Sequence, residues 1–217
     1  MVRWTGLALA SLLAFGSGDP ARSEGVAGHR VRSLIEIRNQ GVVRQHWDLT
    51  CGAAAIATVL TYQFALPVSE QQAAMGMLQR TSPLLVRARL GFSLLDLKRF
   101  AASRGLTAAG YGGLTLDELL ALAPVIAPIR LNGFGHFVVV RGAMGDRVLL
   151  ADPAFGNRTV AREAFVRSWP SQIGFVVTAP GQPHPPNRMA PMADLLLVPP
   201  AVAVRTAEAT ARAWRPR

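Results

Sequence analysis

The chain has 217 residues, half of them hydrophobic, with 23 Lys and Arg against 13 Asp and Glu and a formal charge of +10. That is room for one domain of ordinary size with a real core, plus flanking segments. A lone cysteine, Cys51, excludes internal disulfides and zinc sites built from several thiols. The arginines are scattered rather than clustered with aromatics, so the charge reads as a solvated basic surface and nucleic acid is not an expected partner.

In chain order, Met1-Val2-Arg3 leads into an apolar stretch from Trp4 to Phe15 and then Gly, Ser, Asp and Pro, the layout of a secretory signal. Ala21 and Ser23 place small residues for a cut before Glu24, with Gly16 and Gly18 as a second site. The expected organisation is therefore a signal peptide over 1–23, a catalytic domain over 24–179 and a proline-rich tail over 180–217. Loss of Arg3, Asp19 and Arg22 leaves the mature chain at +9. The alternative, an N-terminal helix kept as an anchor, is disfavoured because the apolar run falls short of the ~20 residues that cross a bilayer. The later run Leu195 to Val204 is short and broken by Pro199 and Pro200, so no integral membrane segment is expected and the mature protein should be soluble. Export to the periplasm or beyond follows.

Leu34-Ile-Glu-Ile-Arg38 alternates and reads as an edge strand. Cys51 to Phe64 is apolar on nearly all sides and rich in alanine, which predicts a buried central helix capped by Asp48 or Thr50. Ser69 and Ser93 cap two further helices, the second stopped by Gly105, and Thr115-x-x-Glu118 is a capping box for a fourth that ends before Pro124. The period then changes. Val125 to Arg130, His136 to Arg141, Arg147 to Ala151 and Ile173 to Thr178 are short runs separated by Asn-Gly, Met-Gly-Asp and Phe-Gly-Asn turns, with a helix over Ala161 to Trp169. Helices first and strands afterwards predict an α+β fold, a helical layer on an antiparallel sheet. Eight of the 15 prolines fall between Pro180 and Pro216, so the tail reads as extended, as a wrap or as a linker.

Cys51 stands at the predicted start of a helix, where free backbone N–H groups and the positive end of the helix dipole stabilise a thiolate. Gly52 would let a substrate backbone approach the sulfur. Taken alone, a cysteine in an alanine-rich helix is more often a core residue. His136, at the mouth of its strand, is the natural base for Cys51. If its strand and the next form a hairpin through Gly142 to Asp146, Asp152 falls near His136, and its carboxylate would accept Nδ1–H and fix the tautomer. Read singly, His136 is equally a strand-end histidine and Asp152 equally a turn starter before Pro153. Gln45, six residues before Cys51, could donate its amide to an oxyanion beside the Cys51 N–H. His29, His46 and His184 are left without a role.

The segment Arg44-Gln45-His-Trp-Asp48-Leu-Thr-Cys51-Gly52-Ala-Ala-Ala, with His136-Phe-Val-Val-Val and Asp152-Pro153-Ala154, resembles the bacteriocin-processing, double-glycine leader peptidase family of papain-like fold. Gly91-Phe-Ser-Leu-Leu-Asp-Leu-Lys98 resembles that family's third helix, and the likeness covers roughly residues 40 to 178. The resemblance implies peptide-bond cleavage through a thioester on Cys51, with His136, Asp152 and Gln45 in the family's catalytic positions and no cofactor or metal. The best-known members are cytoplasmic domains fused to ABC exporters, whereas a signal-like segment comes first here. The chain is thus closer to stand-alone exported members, some of which accompany functional-amyloid secretion systems, and a polypeptide substrate of such a system is expected. Two rival expectations are a thiol acyltransferase on the same fold and a non-catalytic peptide-binding or chaperone module.

Overall fold

A computed structural model of the chain describes residues 33–182 and 185–191. The signal-peptide expectation over 1–23 lies outside the described residues, as do His29 and His184. Seven helices and six strands follow in the order α1 (Leu34–Asn39), α2 (Cys51–Phe64), α3 (Glu70–Leu78), α4 (Pro83–Ala88), α5 (Leu94–Ser103), β1 (Thr107–Tyr111), α6 (Leu116–Ala121), β2 (Val125–Leu131), β3 (Phe134–Met144), β4 (Arg147–Asp152), β5 (Gly156–Ala161), α7 (Arg162–Ser168) and β6 (Gly174–Thr178). Among the described residues no helix is long and apolar enough to cross a membrane.

The strands form one antiparallel sheet in the order β1-β6-β2-β3-β4-β5. This is the expected α+β arrangement, with α2 laid on the sheet. Ala53 to Ala57 and Leu60 have no exposed surface, as an all-round apolar helix requires, and Ile56 and Leu60 share a core with Ile126, Val139, Ala151 and Phe175. A second core lies on the other face, where Leu119 of α6, Phe165 of α7 and Trp169 meet Val138, Val140, Val148 and Leu150. The sheet is therefore covered on both sides.

Capping fixes most helix starts. Ser69 with Gln72, Ser93 with Asp96 and Thr115 with Glu118 form capping boxes as their sequences predict. The segment 34–38 is a helix and not the expected edge strand. Ser33 accepts from the Glu36 N–H and Glu36 accepts from the Ser33 N–H, so a fourth capping box overrides the alternating pattern. Asn157 of β5 then holds this helix by donating to the carbonyls of Ile37 and Gln40 at 3.2 and 2.6 Å. Gly156 is required beneath it, since a Cβ there would lie 2.5 Å from the Arg38 carbonyl oxygen.

Strands β1 and β5, at the two edges of the sheet, escaped the sequence reading. Thr107–Tyr111 holds two alanines and a glycine and carries little strand propensity. Residues 185–191 pack against the domain: Met189 is buried, its carbonyl accepts from Arg141 Nε at 2.8 Å, and Gln63 Nε2 donates to the Pro186 carbonyl at 2.8 Å.

Candidate active site

Cys51 is the first residue of α2 and is buried. Neither expected cap serves the helix. Thr50 occupies the N-cap position but makes no capping bond, because its hydroxyl is turned to the Trp47 carbonyl and the Glu70 carboxylate. The first turn is thereby left without a side-chain acceptor beside the sulfur, which suits a site that must itself receive negative charge.

The loop entering α2 is anchored at both ends. Gln45 N–H donates to the Pro153 carbonyl at 2.9 Å, and Arg44 Nε donates to the same oxygen at 3.0 Å. Further along, the buried carboxylate of Glu70, the first residue of α3, accepts from the His46 N–H at 2.9 Å, from His46 Nδ1 at 2.9 Å and from the Trp47 N–H at 3.4 Å. The loop that precedes Cys51 is thus tied to the β4–β5 turn and to α3.

His136, the third residue of β3, is 9% exposed, and its Nε2 lies 2.8 Å from Oδ1 of Asp152, which has no exposed surface. The ring lines the same cleft as Cys51, and with Nε2 on Asp152 it is Nδ1 that is left for the thiol. The expectation that Nδ1 would face the carboxylate is corrected. Asp152 lies diagonally across the strand pair, so the ring's far nitrogen reaches it and the near one is left for α2.

Asp152 Oδ1 also accepts from the N–H of Ala154 at 2.9 Å and of Phe155 at 3.3 Å, and Arg158 Nε donates to Oδ2 at 2.8 Å. Burial disfavours the Asp152 carboxylate, but the His136 bond and charge, followed by Arg158, outweigh it and hold the group below the ordinary value. Burial likewise disfavours the imidazolium of His136. Hydrogen bonds to Asp152 and Cys51, and the negative charge of both, outweigh it and raise the group from 6.5 to about 9.

Gln45 lines the same cleft as Cys51 and His136, and its Oε1 is buried without a hydrogen-bond partner. An orphaned buried amide oxygen costs about 1–3 kcal/mol, a cost that tends to be found where function needs the group. Gly52 does not serve the approach of substrate. A Cβ there would meet Phe137 Cδ2 at 3.1 Å and Leu97 Cδ1 at 3.2 Å, so its smallness lets α2 press on the sheet and on α5.

All four singled-out residues come together, while Arg44, Glu70 and Arg158 were not identified as site-building residues from the sequence. Arg158 lies in an unremarked strand, and Glu70 reads as an ordinary first-turn acid behind Ser69.

A thiol at a helix start facing an imidazole on an antiparallel sheet is the framework of papain-like thiol hydrolases. The chain belongs to the Peptidase C39 family, whose model matches residues 39–180, and it is a cysteine peptidase. It is 38% identical over 159 residues to the Probable functional amyloid protease FapD of Pseudomonas aeruginosa, covering 72% of this chain and 69% of that one. The protein of the same name from Pseudomonas fluorescens is 39% identical over 153 residues, covering 70% and 66%. The matched segment spans about two thirds of the length of these relatives.

Among solved structures, a double glycine motif protease from an AMS/PCAT transporter, crystallised in complex with the leader peptide, is 28% identical. It superposes with a TM-score of 0.53 over 64% of this chain and 90% of that one. The peptidase domain of Streptococcus ComA gives a TM-score of 0.53 at 19% identity, over 64% of this chain and 97% of that one, a likeness of fold.

Proposed function

We propose that this chain is an exported cysteine peptidase in which Cys51 is the nucleophile, His136 its base, Asp152 the group that orients the histidine and Gln45 an oxyanion donor. The observation that carries the reading is that Cys51, His136 and Gln45 line one cleft while the His136 ring bonds Asp152 behind it at 2.8 Å. Nδ1 takes the proton of the Cys51 thiol and so leaves the sulfur as the nucleophile. The sulfur attacks the carbonyl carbon of the scissile bond, and the oxygen that becomes negative is met by the Cys51 N–H and the Gln45 amide. Nδ1–H then gives its proton to the leaving amine as the C–N bond breaks, leaving a thioester. Water loses a proton to Nδ1 and attacks the thioester, and expulsion of the sulfur restores the pair.

The substrate we infer is a polypeptide component of a functional-amyloid secretion system, and what supports it is that the two Pseudomonas relatives bear the name Probable functional amyloid protease. The signal-like segment over 1–23 supports export to the periplasm, with cleavage before Glu24. N-terminal sequencing of protein recovered from the periplasm tests this, and a chain that keeps Met1 or stays in the cytoplasm would overturn it.

The catalytic assignment is tested by labelling purified protein with iodoacetamide across pH, wild type against His136→Ala. Rapid labelling of Cys51 at about pH 6 that is lost in the variant is the expected result, since only a thiol paired with an imidazolium reacts quickly there. The same ordinary thiol profile in both proteins would make Cys51 a structural cysteine.

A further inference from the structure

The cleft above Cys51 has a volume of about 600 Å³ and two arginines on its lining. Arg89 comes from the end of α4, and Arg130 from the end of β2, next to the turn into β3. Neither takes part in an ion pair among the described residues. The field of Arg89 reaches Asp96, but the oxygens of Asp96 are occupied by Ser93 and by the Thr81 hydroxyl. Arg130 makes one long bond, Nη1 to the Gly133 carbonyl at 3.4 Å.

Charge accounting gives this pair its meaning. Cys51 and His136 add no net charge, whether as thiol and imidazole or as thiolate and imidazolium. Behind them Asp152 is matched by Arg158. The one carboxylate on the cleft lining is Asp48, set against both Arg89 and Arg130. On its lining the cleft therefore carries two arginines against one carboxylate.

Tight turns hold both arginines in place, a helix end at Arg89 and the two-residue Asn132-Gly133 hairpin turn after Arg130. Leu49 and Leu90, both on the cleft lining, hold φ of 68° and 58°, and Asn132, between Arg130 and Gly133, holds 49°. Leu90 is 63% exposed in that conformation. Leu90 takes that conformation as the residue that ends α4: its N–H donates to the Arg87 carbonyl at 3.1 Å and the Gly91 N–H to the Val86 carbonyl at 2.9 Å, which fixes Arg89 at the cleft. A second depression of about 420 Å³, lined by Pro128, Ile129, Pro170 and Ser171, shares Arg130 and Gly135 with the first, so a bound peptide has a path past Arg130.

We propose that Arg89 and Arg130 form a carboxylate-recognition site at the rim of this cleft, and that the peptide cut at Cys51 carries an acidic group close to the scissile bond. The proposal rests on the peptidase reading above and names its substrate class.

The test pairs two alkylating reagents of similar size, anionic iodoacetate and neutral iodoacetamide, and reads the ratio of their rates at Cys51. An Arg89→Gln/Arg130→Gln variant should lower the iodoacetate to iodoacetamide ratio by about fivefold, the scale of losing two partly solvated charges. Raising salt to about 0.5 M should erode the wild-type ratio. An Arg89→Lys/Arg130→Lys variant should restore it. A ratio that the glutamine substitutions leave unmoved overturns the proposal while the peptidase reading stands. Slow reaction of wild type with both reagents would instead overturn that reading, and the proposal with it.

Cleavage of a synthetic peptide library in free-acid and C-terminally amidated forms then locates the anion. Cuts clustered near internal Asp or Glu in both series assign it to a side chain, and cuts that need the free acid assign it to the α-carboxylate. Cuts without regard to charge overturn the proposal.

Discussion

Asp152 lies on the same side of the sheet as His136 because the β3–β4 register shifts by one residue between Val140 and Gly142. Near the turn Met144 pairs with Arg147, and beyond the shift Val139 pairs with Ala151, which sets Asp152 level with Val138 and two residues from His136. Were Arg141 paired in register instead of bulged out, the same count would set Asp152 opposite Val139, a core residue on the side covered by α2. A one-residue slip moves every side chain to the other face, so this bulge decides whether the carboxylate and the imidazole meet.

Gly142 holds that bulge at φ 147°, and a Cβ there would lie 2.8 Å from Pro191 Cδ. Gly142→Ala should destabilise the protein by about 1–3 kcal/mol, from strain together with displacement of the segment that carries Pro191. Labelling of Cys51 by iodoacetamide at about pH 6 should slow in the same variant. Urea unfolding and labelling kinetics check the two effects, and full labelling in a folded variant would show that the bulge tolerates a side chain.

Arg158 donates to the Asp152 oxygen that His136 does not use. In Arg158→Gln that carboxylate loses one of the groups holding it below its ordinary value, so the acid edge of Cys51 labelling should move to higher pH. The rate at its optimum should fall by about three- to tenfold, less than in Asp152→Ala, because Oδ1 keeps its three donors. Asp152→Ala should in turn cost less than Cys51→Ala, since the carboxylate orients the ring and does not attack. A pH profile that overlays wild type would remove Arg158 from the site.

The pH dependence of stability has a defined sign. His136 is raised from 6.5 to about 9, so its contribution is complete below 6.5 and disappears as pH rises through about 9. Asp152 is lowered, so its contribution is present above 3.8 and lost only as acid reaches its folded value. The thermal midpoint of wild type should therefore exceed that of His136→Gln most at about pH 6, with the gap closing by about pH 9.5. Calorimetry at the two pH values checks this, and a constant gap would mean that the imidazolium adds nothing to the folded state.

Glu70 holds the loop between Gln45 and Cys51 through the His46 and Trp47 N–H groups and the Thr50 hydroxyl. Glu70→Gln keeps the shape but replaces one acceptor oxygen by a donor facing those N–H groups. A loss of about 1–3 kcal/mol is expected, the range for an unmet buried polar group. Proteolytic nicking between residues 46 and 50 should rise and labelling of Cys51 should slow. Unaltered nicking and labelling would show that Arg44 and Pro153 suffice to fix the loop.

What the sequence determined by itself lies within a few residues of each signal. The alanine-rich run from Cys51 specifies a buried helix, and the capping pairs behind Ser69, Ser93 and Thr115 act over three positions, so they can be read without a fold. Counting outward from the Gly142 to Asp146 turn brought His136 and Asp152 into one neighbourhood. The tertiary structure alone decided that Nε2 and not Nδ1 faces Asp152, that Gly52 serves packing, and that Glu70 and Arg158 build the site. It also placed β1 at an edge through its pairing with β6, which comes some seventy residues later in the chain. Each of these depends on contacts between residues far apart in sequence. A bulge of one residue or the approach of a helix changes them while leaving local propensity and hydrophobic period untouched.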